Sequence, residues 1–212
     1  MPVVHYSDGL SLAEYLAIEQ DLVKRIDKPT LFTWIVAPTV IYGRHQSAEV
    51  EVNEEYCREH NIKIVQRKSG GGCVYADEGN LMISYISPST HSEQVFTEYL
   101  ELLRSALSNK GLPAVTTSHN DILVDGKKVS GCACYATPTG TIVHGTLLFD
   151  VNLEAMVKAI TPTSAKLAKH GVASVRQRVV NLKELTDVFR NISELREYIE
   201  QYGDKFTGAI NA

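Results

Sequence analysis

The sequence predicts an α+β domain in which helices flank a mostly antiparallel sheet. Three observations carry this. Short strand-like runs are numerous and are joined by tight-turn residues such as Asp125-Gly126 and Pro138-Thr139-Gly140. Helical periodicity is grouped before, between and after the strands, which argues against a doubly wound fold. The 212 residues suffice for one domain with its own core, and no linker, repeat or low-complexity tract divides them.

Ser11 to Glu14 fits a capping box. Leu12, Tyr15, Leu16, Glu19, Leu22, Val23 and Ile26 then form a mostly apolar helical stripe, closed by Pro29. Strands are expected over Thr30–Val36 and Val40–Arg44. Asn53 caps a short helix to His60, and Lys63–Arg67 reads as another strand. After Ser69-Gly70-Gly71-Gly72, strands resume at Cys73–Ala76 and Leu81–Ile86 around a turn at Asp77 to Asn80. His91–Asn109 has the spacing of a long amphipathic helix with Val95, Tyr99, Leu102, Leu103, Ala106 and Leu107 inward, ended by Gly111. Ile122–Val124 and Lys127–Val129 form a hairpin, Cys132–Tyr135 and Thr141–Asp150 a second. Helices over Leu153–Ile160 and Ser193–Tyr202 finish the chain.

Composition bounds the function. With 44% hydrophobic and 22% charged residues the chain is globular, not disordered. Lys and Arg number 21 against 25 Asp and Glu, so the net charge of −4 argues against bulk nucleic-acid binding while leaving room for a local basic pocket. Cys57, Cys73, Cys132 and Cys134 form no C-x-x-C, so neither a zinc site nor a disulfide framework is expected. The N-terminus lacks the features of a signal peptide, and no apolar run approaches the roughly 20 residues of a membrane span. A cytoplasmic setting is expected.

Several segments carry candidate chemistry. In Arg67-Lys68-Ser69-Gly70-Gly71-Gly72 successive glycines let backbone N–H groups approach an anion beside two cations, although a plain turn explains the same residues. It is not a P-loop. Lys127 and Lys128 point to opposite faces of a strand, so one can meet an anion. Asn120 and Asp121 offer an amide and a carboxylate, the latter suited to Mg²⁺; the alternative is a solvated hairpin tip. His144 beside Gly145 in an apolar strand is either a core histidine or a ligand wall. Cys132 and Cys134 share one side of their strand, inert or, with Lys128 or His144 beside them, nucleophilic. Ser174, Arg176 and Arg178 suit a phosphate, an acidic partner or an exposed turn.

Taken in order, these segments resemble the lipoate–protein ligase family, within the group that includes biotin protein ligases and octanoyltransferases. The carrying residues are Leu16-Ala-Ile-Glu19, Tyr42-Gly43-Arg44-His45-Gln46, Arg67 to Tyr75, Asp77-Glu-Gly79-Asn80, Asn120-Asp121, Gly126 to Gly131, His144 to Leu148 and Gly171 to Leu182. The resemblance runs from about Leu12 to Leu182.

The resemblance implies a mixed sheet of the biotin/lipoate ligase catalytic-domain type. It implies ATP-dependent conversion of lipoate to lipoyl-adenylate and transfer of the acyl group to a lysine of a lipoyl domain. Lys128 matches the family's active-site lysine. Arg67, Ser69, Gly70, Gly71, Gly72, Val74, Tyr75, Asn80, Asn120, Asp121, Ser130, Gly131, His144 and Gly145 match positions around lipoate and the adenylate. Ser174, Arg176 and Arg178 match a loop over the adenylate, with Mg²⁺ on the Asp121 side. Implied partners are the lipoyl domains of 2-oxoacid dehydrogenase E2 subunits, the glycine-cleavage H protein and a separate accessory protein. Neither nucleic acid nor membrane is implied. Ala76 stands where many members carry histidine, Ser47 replaces a common asparagine, and the chain to Ala212 is read as one catalytic domain, 1–212, without the C-terminal accessory domain. Three other functions stay open: an ATP-independent octanoyl or lipoyl transferase using a cysteine thioester, a non-catalytic module binding acyl-adenylate or carrier, and, more distantly, biotin ligation.

Overall fold

The computed structural model describes residues 1–117, 121–160 and 179–206. Helix α1 (Leu12–Arg25) starts at Ser11, whose side chain and that of Glu14 exchange the capping-box hydrogen bonds, and it buries Leu12, Tyr15, Glu19 and Val23. Strands β1 (Thr30–Trp34) and β2 (Thr39–Tyr42) follow. Two short helices, α2 (Ala48–Glu51) and the Asn53-capped α3 (Glu54–Glu59), lead to β3 (Lys63–Gln66). The chain continues through β4 (Val74–Ala76), β5 (Asn80–Ser87) and the long α4 (Ser92–Ser108). Strands β6 (Ala114–Thr116), β7 (Asp121–Val124), β8 (Lys127–Thr137) and β9 (Gly140–Leu148) precede α5 (Leu153–Ala159) and α6 (Ile192–Lys205).

The α+β fold with a mostly antiparallel sheet is as expected, with the strands divided between two sheets. β1, β5, β9, β8, β7 and β6 lie side by side in that order, each neighbouring pair antiparallel. β3, β2 and β4 form a separate sheet, and its β2–β3 pair is parallel because the α2–α3 crossover returns the chain in the same direction. Lys127–Val129 and Cys132–Tyr135 prove to be one strand. β6 and α2 have no counterpart in the sequence reading, being too short to show a period. At the β7–β8 turn, Asp125 and Gly126 both have positive φ, 50° and 74°, as a tight hairpin requires.

Alternation along the strands sorts the large sheet into two faces. Leu31, Leu81, Ile83, Tyr85, Val143 and Leu147 point to one side and pack on α4 and α6 with Leu102, Leu103, Leu195 and Ile199, all at most 1% exposed. Phe32, Trp34, Met82, Ile86 and Ile142 point to the other, under α1 and the small sheet. Ala76, at the position of the missing histidine, is fully buried in that second cluster. No helix among the described residues is long and apolar enough to cross a membrane.

Candidate active site

One rung of the large sheet forms the floor of a cavity. Trp34 pairs with Met82, Met82 with Thr146, Thr146 with Gly131, and Gly131 with Asp121, five residues from five adjacent strands. All five line a cavity of about 210 Å³. At the usual strand spacing the rung is roughly 19 Å long. Leu12 and Leu16 of α1, with Ile41 and Val74 of the small sheet, add apolar walls. The β7 end is polar: Lys128 Nζ lies 2.7 Å from Asp121 Oδ1.

Lys128 reaches that floor because β8 is irregular. Ile122 pairs with Ser130 but Leu123 pairs with Lys128, leaving Val129 as the extra residue of a bulge. Strict alternation would put Lys128 on the side of Ser130 and Cys132. The bulge moves it to the side of Asp121 and Gly131, where a Cβ on Gly131 would come within 2.7 Å of Nζ. Lys127 is exposed, so Lys128 is the one of the pair at the cavity.

The glycine loop forms one flank, and it is not a hairpin turn, since β3 and β4 lie on opposite sides of β2. Arg67 is 6% exposed and donates inward: Nη1 to Ile41 O at 3.0 Å, Nε and Nη2 to Gly70 O at 3.2 and 2.8 Å, and Nη2 to Gly72 O at 2.6 Å. Burial pushes its pKa down, and among the described residues no carboxylate pairs with it. The guanidinium turns loop carbonyls toward itself and leaves positive charge beside the cavity. Gly43 supports the loop from below; a Cβ there would collide with the Gly71 carbonyl oxygen. Gly71 and Gly72 line the cavity, whereas Gly70 serves through its carbonyl.

A second cavity of about 490 Å³ continues past Lys128 and Asp121, sharing Cys73, Val74 and Thr146 with the first and adding Tyr75, Leu123, Gly126 and Met156. Burial, with Asp77 beside it, raises the Tyr75 pKa. Ile160 and Val179 also line this cavity. Val180 N–H is anchored on Lys128 O at 3.0 Å. Ser174, Arg176 and Arg178 lie in that segment, outside the described residues, as does Asn120. Asp121 is the one carboxylate lining either cavity among the described residues, and no group of three metal-ligating side chains occurs among them.

Several expected contacts need correction. Ser130 pairs with Leu147 and is fully buried on the α4 side, so its hydroxyl points away from the site. Asn80 is fully buried, lines neither cavity and donates to Met82 Sδ at 2.9 Å. Ser69 is 1% exposed and bonds His144 Nε2 at 2.7 Å, making it a support of the His144 wall. Cys132 pairs with Gly145 and Ala133 with His144, so the Cys132 side chain and the imidazole lie on opposite faces. The bulge puts Lys128 on the far face from Cys132 as well. Burial pushes the Cys132 and Cys73 thiols up to about 12 and raises Cys134, the reverse of a nucleophile's requirement. The sequence reading assigned no role to Trp34, Met82 or Glu19; the signal for Glu19 was a carboxylate within an apolar stripe.

Comparison with known proteins gives the family. Residues 11–203 match the model of the lipoyl protein ligase A/B catalytic domain. The chain is 37% identical over 187 residues to the lipoate-protein ligase LplJ of Bacillus subtilis, covering 87% of this chain and 56% of that protein. It is 38% identical over 181 residues to the lipoate–protein ligase of Streptococcus pyogenes, covering 84% and 52%. The chain thus spans about half the length of the curated relatives it matches. Among solved structures, the bi-partite lipoate protein ligase of Thermoplasma acidophilum, described together with its E2 lipoyl domain, superposes with a TM-score of 0.87 at 25% identity, covering 96% of this chain and 82% of that one. With this match across nearly its whole length, the chain belongs to the lipoyl protein ligase A/B catalytic-domain family.

Proposed function

We propose that this chain activates lipoate with ATP as lipoyl-adenylate and transfers the lipoyl group to a lysine of a lipoyl domain. The observation that carries the reading is the joining of an apolar slot to a second cavity at one cation, Lys128. An acid lying on the Trp34–Asp121 rung buries its chain against Trp34, Met82 and Leu16, and each buried CH₂ contributes about 0.8 kcal/mol. Its carboxylate then meets Lys128 between the cavities. There a carboxylate oxygen attacks the α-phosphorus of ATP, and pyrophosphate leaves. Charge builds on phosphate oxygens, so a preorganised cation does the work, with no protein nucleophile. In the second step the carrier amine attacks the acyl carbonyl, loses a proton and expels AMP.

The second cavity suits the nucleotide, and Ser174, Arg176 and Arg178, which the family resemblance assigns to the adenylate, supply one hydroxyl and two cations. Asp121 fits a Mg²⁺ that keeps most of its ligands as water and phosphate oxygen, since such an ion needs few protein carboxylates. Acceptors are E2 lipoyl domains, as in the Thermoplasma system, and the glycine-cleavage H protein. A separate accessory protein completes activation if residues 1–212 act as one catalytic domain. A reducing, cytoplasmic setting accords with four cysteines outside any disulfide. The orientation of Cys132 disfavours the thioester transferase.

The test is acylation of an apo lipoyl domain by purified protein with lipoate and Mg²⁺, with and without ATP, beside a reaction given synthetic lipoyl-adenylate. ATP-dependent transfer supports the whole reading. Transfer from the adenylate alone assigns activation to an accessory protein. Absence of transfer from both refutes it.

A further inference from the structure

The Glu19 carboxylate is 2% exposed, and His144 is its one ion-pair partner among the described residues. Such a group is costly to bury unless its lone pairs are met. It stands at the middle of a hydrogen-bond chain whose donors follow from one end as far as the imidazole. Trp34 Nε1 can only donate, and it donates to Ser84 Oγ at 2.8 Å. The single Ser84 proton goes to Glu19 Oε1 at 2.6 Å. A carboxylate only accepts, so His144 Nδ1, at 3.0 and 3.2 Å from its two oxygens, carries a proton. In the Nδ1–H tautomer Nε2 accepts, and Ser69 Oγ, 2.7 Å away, donates to it.

The far end of this chain is the root of the glycine loop. Ser69 O also accepts Arg44 N–H at 3.0 Å, and Gly71 and Gly72 beyond it wall the slot. Arg67 holds the loop by its carbonyls; Ser69 holds it by a hydroxyl whose direction His144 dictates. Glu19, Ser84 and Ser69 do not line the slot themselves. We propose that Glu19 is a positioning residue for acyl activation, fixing His144 as the Nδ1–H tautomer so that Ser69 pins the glycine loop opposite Lys128. This rests on the ligase reading above. Ser69, His144 and Glu19 also stand in the order of a hydrolase relay, but Ser69 is buried and outside the slot, so a nucleophilic serine is an outcome of the test.

The experiment has two independent readouts on the full chain. Long-range ¹⁵N–¹H NMR of the imidazole is expected to give the Nδ1–H tautomer in the wild type. Glu19→Gln presents an amide N–H to Nδ1 and is expected to switch His144 to Nε2–H. The other tautomer in the wild type, or no switch in the variant, overturns the proposal. For pyrophosphate release with lipoate and ATP, Glu19→Gln and Ser69→Ala are each expected to lower kcat about 10- to 100-fold, the scale of a small misplacement. The double variant is expected to be no worse than the worse single one. Multiplying losses, or labelling of Ser69 by a fluorophosphonate, overturn the proposal. If Glu19→Gln does not fold, Ser69→Ala carries the test: lowered kcat with His144 still Nδ1–H supports it, and wild-type kcat overturns it. If the wild type releases no pyrophosphate, activation by this chain alone fails. The relay is then decided by the tautomer and by lipoate affinity from calorimetry, expected to fall at least about tenfold in the same variants.

Discussion

Trp34 and Asp121 stand at the two ends of one rung of the six-stranded sheet, four strand spacings apart, with Met82, Thr146 and Gly131 between them. The floor of the slot therefore changes from an aromatic ring to a carboxylate along a straight line. A rigid apolar floor predicts graded recognition of chain length. Across straight-chain acids from six to eight carbons, KM in pyrophosphate release is expected to fall about fourfold per methylene, which is 0.8 kcal/mol at RT. A KM independent of length would place the acyl chain elsewhere.

Lys128→Ala is expected to reduce acyl-adenylate formation at least ~100-fold, because a preorganised charge at the reacting phosphate is lost. The Lys128–Asp121 pair is partly exposed, with side chains 33% and 26% accessible, so it contributes at most about 1 kcal/mol to stability. The melting temperature is accordingly expected to fall by no more than about 4 °C. Thermal melts beside the rate measurement separate the two effects, and retained activity would reject the assignment.

Asp121→Asn keeps the shape of the site and removes its carboxylate. The Mg²⁺ concentration for half-maximal rate is expected to rise about tenfold, the scale of one charge-assisted contact. A Mg²⁺ titration of the variant measures this; an unchanged midpoint would take the metal off Asp121.

The thiols predict a pH dependence of stability. Burial raises Cys73 and Cys132 from 9.0 to about 12. The native state then holds these protons more tightly than the unfolded chain does. Their contribution is complete below about pH 9 and is lost as pH rises through about 12. Melting temperatures between pH 8 and 11 should fall more steeply for the wild type than for Cys73→Ala or Cys132→Ala. Cys132→Ala should also keep its ATP-dependent transfer; loss of transfer would revive the thioester route.

Gly43→Ala is expected to displace the glycine loop without touching any ligand, because its new Cβ meets the Gly71 carbonyl oxygen, which is backbone and cannot rotate away. A destabilisation of about 1–3 kcal/mol follows from overpacking, with KM for the acid raised. Denaturant unfolding and steady-state kinetics on the same sample check both.

The sequence by itself determined most elements and part of the candidate site. The capping box at Ser11, the apolar stripes of α1 and α4 and the Asp125-Gly126 turn are local patterns, set by neighbours within a few residues. Arg67, the glycine loop, Lys128 and His144 were legible because glycine runs and charges within apolar strands are locally costly. Tertiary structure alone decided which way those groups face. A one-residue bulge at Val129 turns Lys128 to Asp121 and away from Cys132, and no period-two reading contains it. The separation of the small sheet, the inward turn of Arg67 and the Glu19–His144–Ser69 chain all join residues far apart in sequence. Such contacts depend on the order of strands in the sheet, and strand order is fixed by long-range packing that no local pattern encodes.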